Sequence, residues 1–154
     1  MKILEMQQLN LPTYAAKIIK KGTELKIYDI LRRKYVALTP EEWVRQSFVH
    51  FLIDYKGFNP TLMANEVAIC LNGVNKRCDS VLYSKSLIPR MIIEYKRPGV
   101  EITQKVFDQI CRYNMALHVE YLIVSNGLTH YCCRIDIEKG AYSFLEDIPM
   151  YEDL

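Results

Sequence analysis

The chain has 154 residues, half of them apolar and a quarter charged, with a formal net charge of +2. This length suits one domain with a real core, residues 1–154, and is too short for two ordinary ones. So small a net charge excludes nucleic-acid binding through overall basicity, so a DNA site would have to be a local basic patch. No run approaches the roughly 18 apolar residues of a membrane span, and Met1–Gln8 lacks the apolar core of a signal peptide. The cysteines at 70, 78, 111, 132 and 133 are odd in number and form no Cys-x-x-Cys pair. They read as reduced, buried thiols of a cytoplasmic protein, not as a disulfide framework or a zinc site.

Residues 1–16 are weakly patterned and peripheral. Lys17–Lys20 and Leu25–Tyr28 flank Lys21-Gly22-Thr23-Glu24, which predicts an N-terminal β-hairpin through a Gly turn, about residues 17–28. Asp29–Tyr35 follows as a basic connection, able to touch phosphate or simply solvated. A helix then starts at Thr39 as N-cap, with Pro40 at the first position and Glu42 completing a capping box. It is predicted to run to about Tyr55 on an apolar stripe of Val44, Phe48, Phe51, Leu52 and Tyr55, and to end at Gly57.

Leu62–Leu71 reads as a strand, Asn72-Gly73 as its hairpin turn, and Lys76–Tyr83 as the returning strand. Ser84–Pro89 is a loop, and Arg90–Lys96 is a third strand stopped by Pro98-Gly99. A second helix spans roughly Ile102–Leu117, with Val106, Ile110, Tyr113 and Leu117 as its stripe. Tyr121–Val124 is a short buried strand closed by Ser125-Asn126-Gly127, and Leu128–Ile135 is a further strand, placed at a sheet edge. Residues 140–154 are acidic and aromatic and receive no assignment. The order predicts an α/β fold, a mixed β-sheet flanked by helices, with a core of about residues 38–136.

The chemistry gathers around Arg90–Pro98. Glu94 and Lys96 are two apart on a strand and share a face. A carboxylate and an ammonium at the end of an apolar run are costly to bury without a purpose. Asp79 lies on the preceding strand. Two carboxylates can hold Mg²⁺, an oxygen-seeking cation that keeps several waters, and such a cation acidifies a water for attack on phosphorus. Asp79 and Glu94 are the expected metal ligands, with the Tyr95 carbonyl as a third. Lys96 would orient or deprotonate the water and stabilise negative charge. The plain alternative is a cross-strand salt bridge from Lys96 to Glu94 or Asp79. Gln109 and Tyr113, four apart on the second helix, can offer hydrogen bonds to a base edge, a sugar or the lysine.

Several stretches carry a family resemblance, in order along the chain. They are Tyr28–Gln46, Arg77-Cys78-Asp79, Ile93–Pro98, Gln109–Asn114 and Leu122–Gly127. The chain resembles the PD-(D/E)XK nucleases, and among them the N-terminal domain of type I restriction enzyme R proteins (HsdR). The resemblance implies a restriction-endonuclease-like core and Mg²⁺-dependent DNA cleavage, with Mn²⁺ as a substitute. It assigns Asp79, Glu94 and Lys96 to catalysis and Gln109 and Tyr113 to the Gln-x-x-x-Tyr motif. A helical Glu often joins such sites. Glu41 or Glu42 would fill it, with Glu42 taken as the accessory residue and Glu66 as a further candidate.

Cys78 stands where the signature has Pro, and the carboxylate after it is intact. No Gly-x-x-x-x-Gly-Lys-Ser/Thr loop is present, so the motor of a full R subunit is not expected in this chain, which is either a stand-alone relative or works beside other chains. DNA and restriction-modification or motor subunits are the expected partners. The alternative is a catalytically silent nuclease-like module that binds DNA or a partner.

Overall fold

The computed structural model describes residues 6–71 and 73–154. Asn72 of the expected hairpin turn, and most of the stretch read for a signal peptide, lie outside the described residues. Two sheets form. The first is three-stranded and antiparallel, β1 (Ile18–Lys21), β2 (Glu24–Asp29) and β3 (Lys34–Ala37) in that order. The second has six strands in the order β4 (Met63–Leu71), β5 (Val74–Tyr83), β6 (Pro89–Tyr95), β7 (Tyr121–Ser125), β8 (His130–Asp136) and β9 (Ala141–Leu145). Every adjacent pair is antiparallel except β6–β7. That pair is parallel because a helix-bearing crossover joins it. The protein is thus α/β with a mixed sheet, as the sequence implied.

The two helices are α1 (Pro40–Lys56) and α2 (Gln104–Leu117). Thr39 caps α1 by accepting from the Glu42 amide at 3.0 Å, Pro40 opens it, and Gly57 ends it at φ 75°. Only half of the predicted capping box forms, because the Glu42 side chain turns to arginines instead. Side chains alternate cleanly on the central strands. Met91, Ile93 and Tyr95 of β6 pack with Val44, Phe48 and Leu52 of α1. Ile92 packs on the other face with Leu122, Val124 and the α2 residues Phe107, Cys111 and Leu117. Strands sealed on both faces read as continuous apolar runs, which is why β6 and β7 are so visible in the sequence.

Four expectations need correction. Asp29–Tyr35 is not a bare connection: it turns into β3, whose four residues are too few to announce themselves. The strand after Asn126 is not an edge, because β9 pairs outside it. Tyr55 stands largely exposed on α1. The buried stripe of α2 is Phe107, Cys111, Asn114 and Leu117, with Tyr113 51% exposed. Asn114 is tolerated there because its amide donates back to the Ile110 carbonyl at 3.0 Å. A polar residue in the core position shifted the apparent stripe round to Tyr113.

Among the described residues no helix is long and apolar enough to cross a membrane. Cys78, Cys111, Cys132 and Cys133 are buried and free, and Cys70 is exposed.

Candidate active site

The paired register of β5 and β6 ends at Ser80 and Ile93. Past that point the Asp79 carboxylate takes over, its Oδ2 accepting from the Tyr95 amide at 2.9 Å. This fixes Asp79 beside the next residue along β6, Glu94. Tyr95 is anchored in turn, its hydroxyl donating to Ser80 Oγ at 2.9 Å under the guanidinium of Arg45. The register of the central strands thus brings the two carboxylates together.

Glu94 is the perturbed group. Burial and the nearby Asp79 carboxylate push its carboxyl up to about 7, while Lys76 pulls the other way. Lys76 Nζ lies 2.5 Å from Glu94 Oε1 and 5.5 Å from the centre of the Tyr113 ring. Lys76 therefore makes the ion pair that the plain reading of the sequence gave to Lys96. Lys96 continues from β6, its amide donating to the Ser125 carbonyl at 2.9 Å. Its ammonium is in no ion pair among the described residues.

The two helical glutamates separate. Glu42 is buried and committed: Oε1 accepts from Arg32 Nη2 at 2.7 Å and Oε2 from Gln46 Nε2 at 3.0 Å. Arg45 Nε also sits 3.0 Å from Glu42 Oε2, an ion pair without the alignment of a hydrogen bond. Glu41 is exposed and faces the site. Burial and the Asp79 charge raise its carboxyl, and Arg45 and Lys96 oppose the rise. Of the two, Glu41 shares the surroundings of Asp79 and Lys96.

Arg45 ties the site to the helix. Its Nη1 donates to Glu66 Oε1 at 2.7 Å and to the Asp79 carbonyl at 3.0 Å. Glu66 also accepts from Arg77 Nε at 2.9 Å. Burial would raise Glu66, but these two guanidiniums hold its carboxyl below the usual range. Glu66 has φ 53°, a conformation that costs a non-glycine residue about 1–3 kcal/mol and persists only when its surroundings hold it. Gln109 is exposed on α2 and touches none of these groups through a hydrogen bond among the described residues. Arg45 and Lys76 escaped the sequence reading. Arg45 did leave a signal, a cation within the buried run of α1, whereas Lys76 reaches Glu94 only diagonally across the strands and left none.

Asp79 and Glu94 offer hard oxygen donors, the chemistry that suits Mg²⁺. Among the described residues no three His, Cys, Asp or Glu side chains form a ready cation cage, and two carboxylates plus water suffice for a cation that stays hydrated. A cavity of about 960 Å³ lies at the start of β6 between Arg90, His118 and Tyr142, and includes none of the candidate site residues.

No curated protein matches the chain. The model of a protein family does, the type I restriction enzyme R protein N terminus (HSDR_N), over residues 40–149. That span runs from the first turn of α1 to beyond β9 and contains Glu41, Glu66, Lys76, Asp79, Glu94, Lys96, Gln109 and Tyr113. With most of its length matched and the mixed sheet in place, the chain belongs to the type I restriction enzyme R protein N-terminal family.

Proposed function

We propose that this protein is a Mg²⁺-dependent DNA endonuclease that hydrolyses phosphodiester bonds, with Mn²⁺ able to replace Mg²⁺. The observation that carries this is the meeting of Asp79 and Glu94 where β5 and β6 part, two residues before Lys96, whose ammonium is in no ion pair among the described residues. Asp79 and Glu94 would hold the cation, with the Tyr95 carbonyl as a third oxygen. When bound, the cation supplies a more acidic water and Lewis acidity toward the phosphate. Lys96 would orient the attacking water or, as the neutral amine, take its proton, and the resulting ammonium would offset the charge building on phosphorus. Glu41, whose carboxyl feels both Asp79 and Lys96, would add a carboxylate to the site from the helix side. Gln109 and Tyr113 meet the DNA from α2. Restriction-modification or motor subunits on other chains would deliver the substrate.

The test is cleavage of plasmid and single-stranded DNA with Mg²⁺ or Mn²⁺, against Lys96→Ala and Asp79→Ala. The expected result is cutting by the unaltered protein and loss in both variants. Cutting that survives in Lys96→Ala overturns the assignment.

One observation favours a second reading, a silent nuclease-like module. Lys76 already occupies the Glu94 oxygen that a cation would need. Salt-dependent DNA binding with no uptake of Mg²⁺ or Mn²⁺ by calorimetry, and no cleavage, would select it.

A further inference from the structure

Residues 17–37 carry seven Lys and Arg against two Asp and Glu, a net of +5 in a chain whose total is +2. They form the β1–β3 sheet and lie outside the span matched by the family. The sheet has two unlike faces. The inner face presents Ile27 and Asp29, both fully buried. Asp29 holds it down, accepting from the Leu31 and Arg32 amides at 2.7 and 3.0 Å and from Asn65 Nδ2 at 3.0 Å. Arg32 completes the tether by bonding Glu42, next to Glu41. With Asp29 consumed, Glu24 is the segment's one carboxylate left to the solvent.

The outer face follows from the register. Tyr28 pairs with Tyr35 across β2 and β3, Lys26 with Ala37 and Ile19, and Lys21 with Glu24. The Tyr28 and Tyr35 rings meet edge to face at 5.3 Å, and Lys17 lies 5.4 Å over Tyr28. Tyr35 is 38% exposed. Tyr28 and Arg33 also edge a cleft of about 530 Å³ against Pro60, Thr61 and Met63. An open sheet face with cations around one exposed ring, Tyr35, and one half-buried ring, Tyr28, is the chemistry that takes unpaired nucleotides, phosphates on the lysines and bases on the rings. A duplex keeps its bases stacked inside and could use only the lysines.

We infer that the outer face of the N-terminal sheet, with Lys17, Lys21, Lys26, Arg33, Tyr28 and Tyr35, is a docking platform for single-stranded DNA. It deepens the proposed nuclease function and shares with it only the assumption that the substrate is DNA. Through Arg32 and Glu42 the platform is braced to the helix turn that carries Glu41, so a strand held there is led toward the Asp79–Glu94 end of the sheet.

The experiment is fluorescence anisotropy of the whole chain with a labelled single-stranded oligonucleotide and the matching duplex, in EDTA so that nothing is cut. The charge variant Lys17→Glu/Lys21→Glu/Lys26→Glu is expected to weaken single-strand binding at least tenfold and to reduce the salt slope by about two, at about 0.7 per phosphate contact. Tyr35→Ala is expected to weaken single-strand binding at least about fivefold, the lower end for loss of one stacked base, and to leave duplex binding unchanged. Lys85→Glu/Lys139→Glu, exposed and outside the sheet, is the control for charge alone. Unchanged affinity in the charge variant, an equal loss in the control, or Tyr35→Ala weakening both DNA forms alike would each overturn the platform. Cleavage is measured separately with metal. A chain that cuts but whose sheet variants bind normally loses the platform and keeps the nuclease. One that binds through the sheet and never cuts loses the nuclease and keeps the platform.

Discussion

The ammonium of Lys76 lies 2.5 Å from the Glu94 carboxylate, on the same strand face that the Asp79 carboxylate adjoins. One lysine thus offsets part of the repulsion between two half-buried acids, and Glu94 still titrates near 7. The sign of the consequence is set by the direction of that shift. A carboxyl raised in the folded state favours folding while protonated. Its contribution is complete below the unfolded value of about 4.5 and is lost as pH rises through about 7.

The metal-free protein is therefore expected to lose stability from Glu94 between about pH 4.5 and 7, on the order of 3 kcal/mol. Burial holds His50 and His130 below their usual value, and they act in the opposite direction as pH falls. The clean measurement is the difference in urea stability between Glu94→Gln and the unaltered chain. It should grow in favour of the variant across that window. A flat difference would mean that Glu94 is not buried against Asp79 as described.

Glu41 and Glu42 are adjacent in sequence and should behave oppositely. Glu41→Gln touches the site and no ion pair among the described residues, so DNA cleavage should fall about a hundredfold or more, the lower end of the usual range for groups that assist proton transfer, with the melting temperature nearly unchanged. Glu42→Gln leaves Arg32 and Arg45 partly unpaired in a buried setting, and should cost about 1–3 kcal/mol of stability while sparing cleavage per folded molecule. Parallel melting and cleavage assays decide this. Equal cleavage in both variants would remove Glu41 from the site.

Asp29 anchors the N-terminal sheet by the bonds to Arg32, Leu31 and Asn65. Burial alone would raise its carboxyl, but those donors hold it below its usual value. Its stabilising effect is present above about pH 4 and is lost as pH falls below that. Asp29→Ala should destabilise by about 3–5 kcal/mol, the range for breaking a buried charge pair on one side. Limited proteolysis should then cut first within residues 17–37. Protection of that segment in the variant would show that something else holds the sheet.

Gly127 closes the β7–β8 turn at φ 85°, and a Cβ there would meet Leu9 Cδ2 at 2.7 Å and Val44 Cγ2 at 3.1 Å. Gly22, at φ 65°, has nothing within 4 Å of the same position. Gly127→Ala should thus cost more than the roughly 1–2 kcal/mol of a left-handed alanine, and Gly22→Ala no more than that. Thermal melts of the pair would show the gap. Equal losses would mean that Leu9 yields freely.

The central elements were legible because their signals are local. Thr39, Pro40 and Gly57 bound α1, and the apolar runs of β6 and β7 follow from burial on both faces. Asp79 and Glu94 were singled out by residue type and by their order on neighbouring strands, but their pairing was not legible, because the register shifts at Leu82/Tyr83. What stayed hidden depended on partners remote in the chain. β3 is only four residues, Lys34-Tyr35-Val36-Ala37, that become a strand by pairing with β2, and β9 needs β8. The choice between Glu41 and Glu42 rests on Arg32 and Arg45 capturing the second. Lys76 was invisible because its carboxylate lies diagonally across two strands, where no periodicity points.

The strand order of the larger sheet repeats the order of the chain, with one consequence for how the site comes into being. Each strand finds its neighbour across a short connection, except at β6–β7, where residues 96–120 must first be looped. Closing a loop of that length costs entropy that the hairpins do not incur, so this seam is the slow step of assembly. Lys96 sits on it, tied to Ser125. The Lys96 amide should accordingly be among the last in the sheet to gain protection in pulsed hydrogen exchange during refolding, with β5 amides protected earlier. A nascent chain would then carry both acids side by side before its lysine is in position, and would have no assembled site until its sheet is complete.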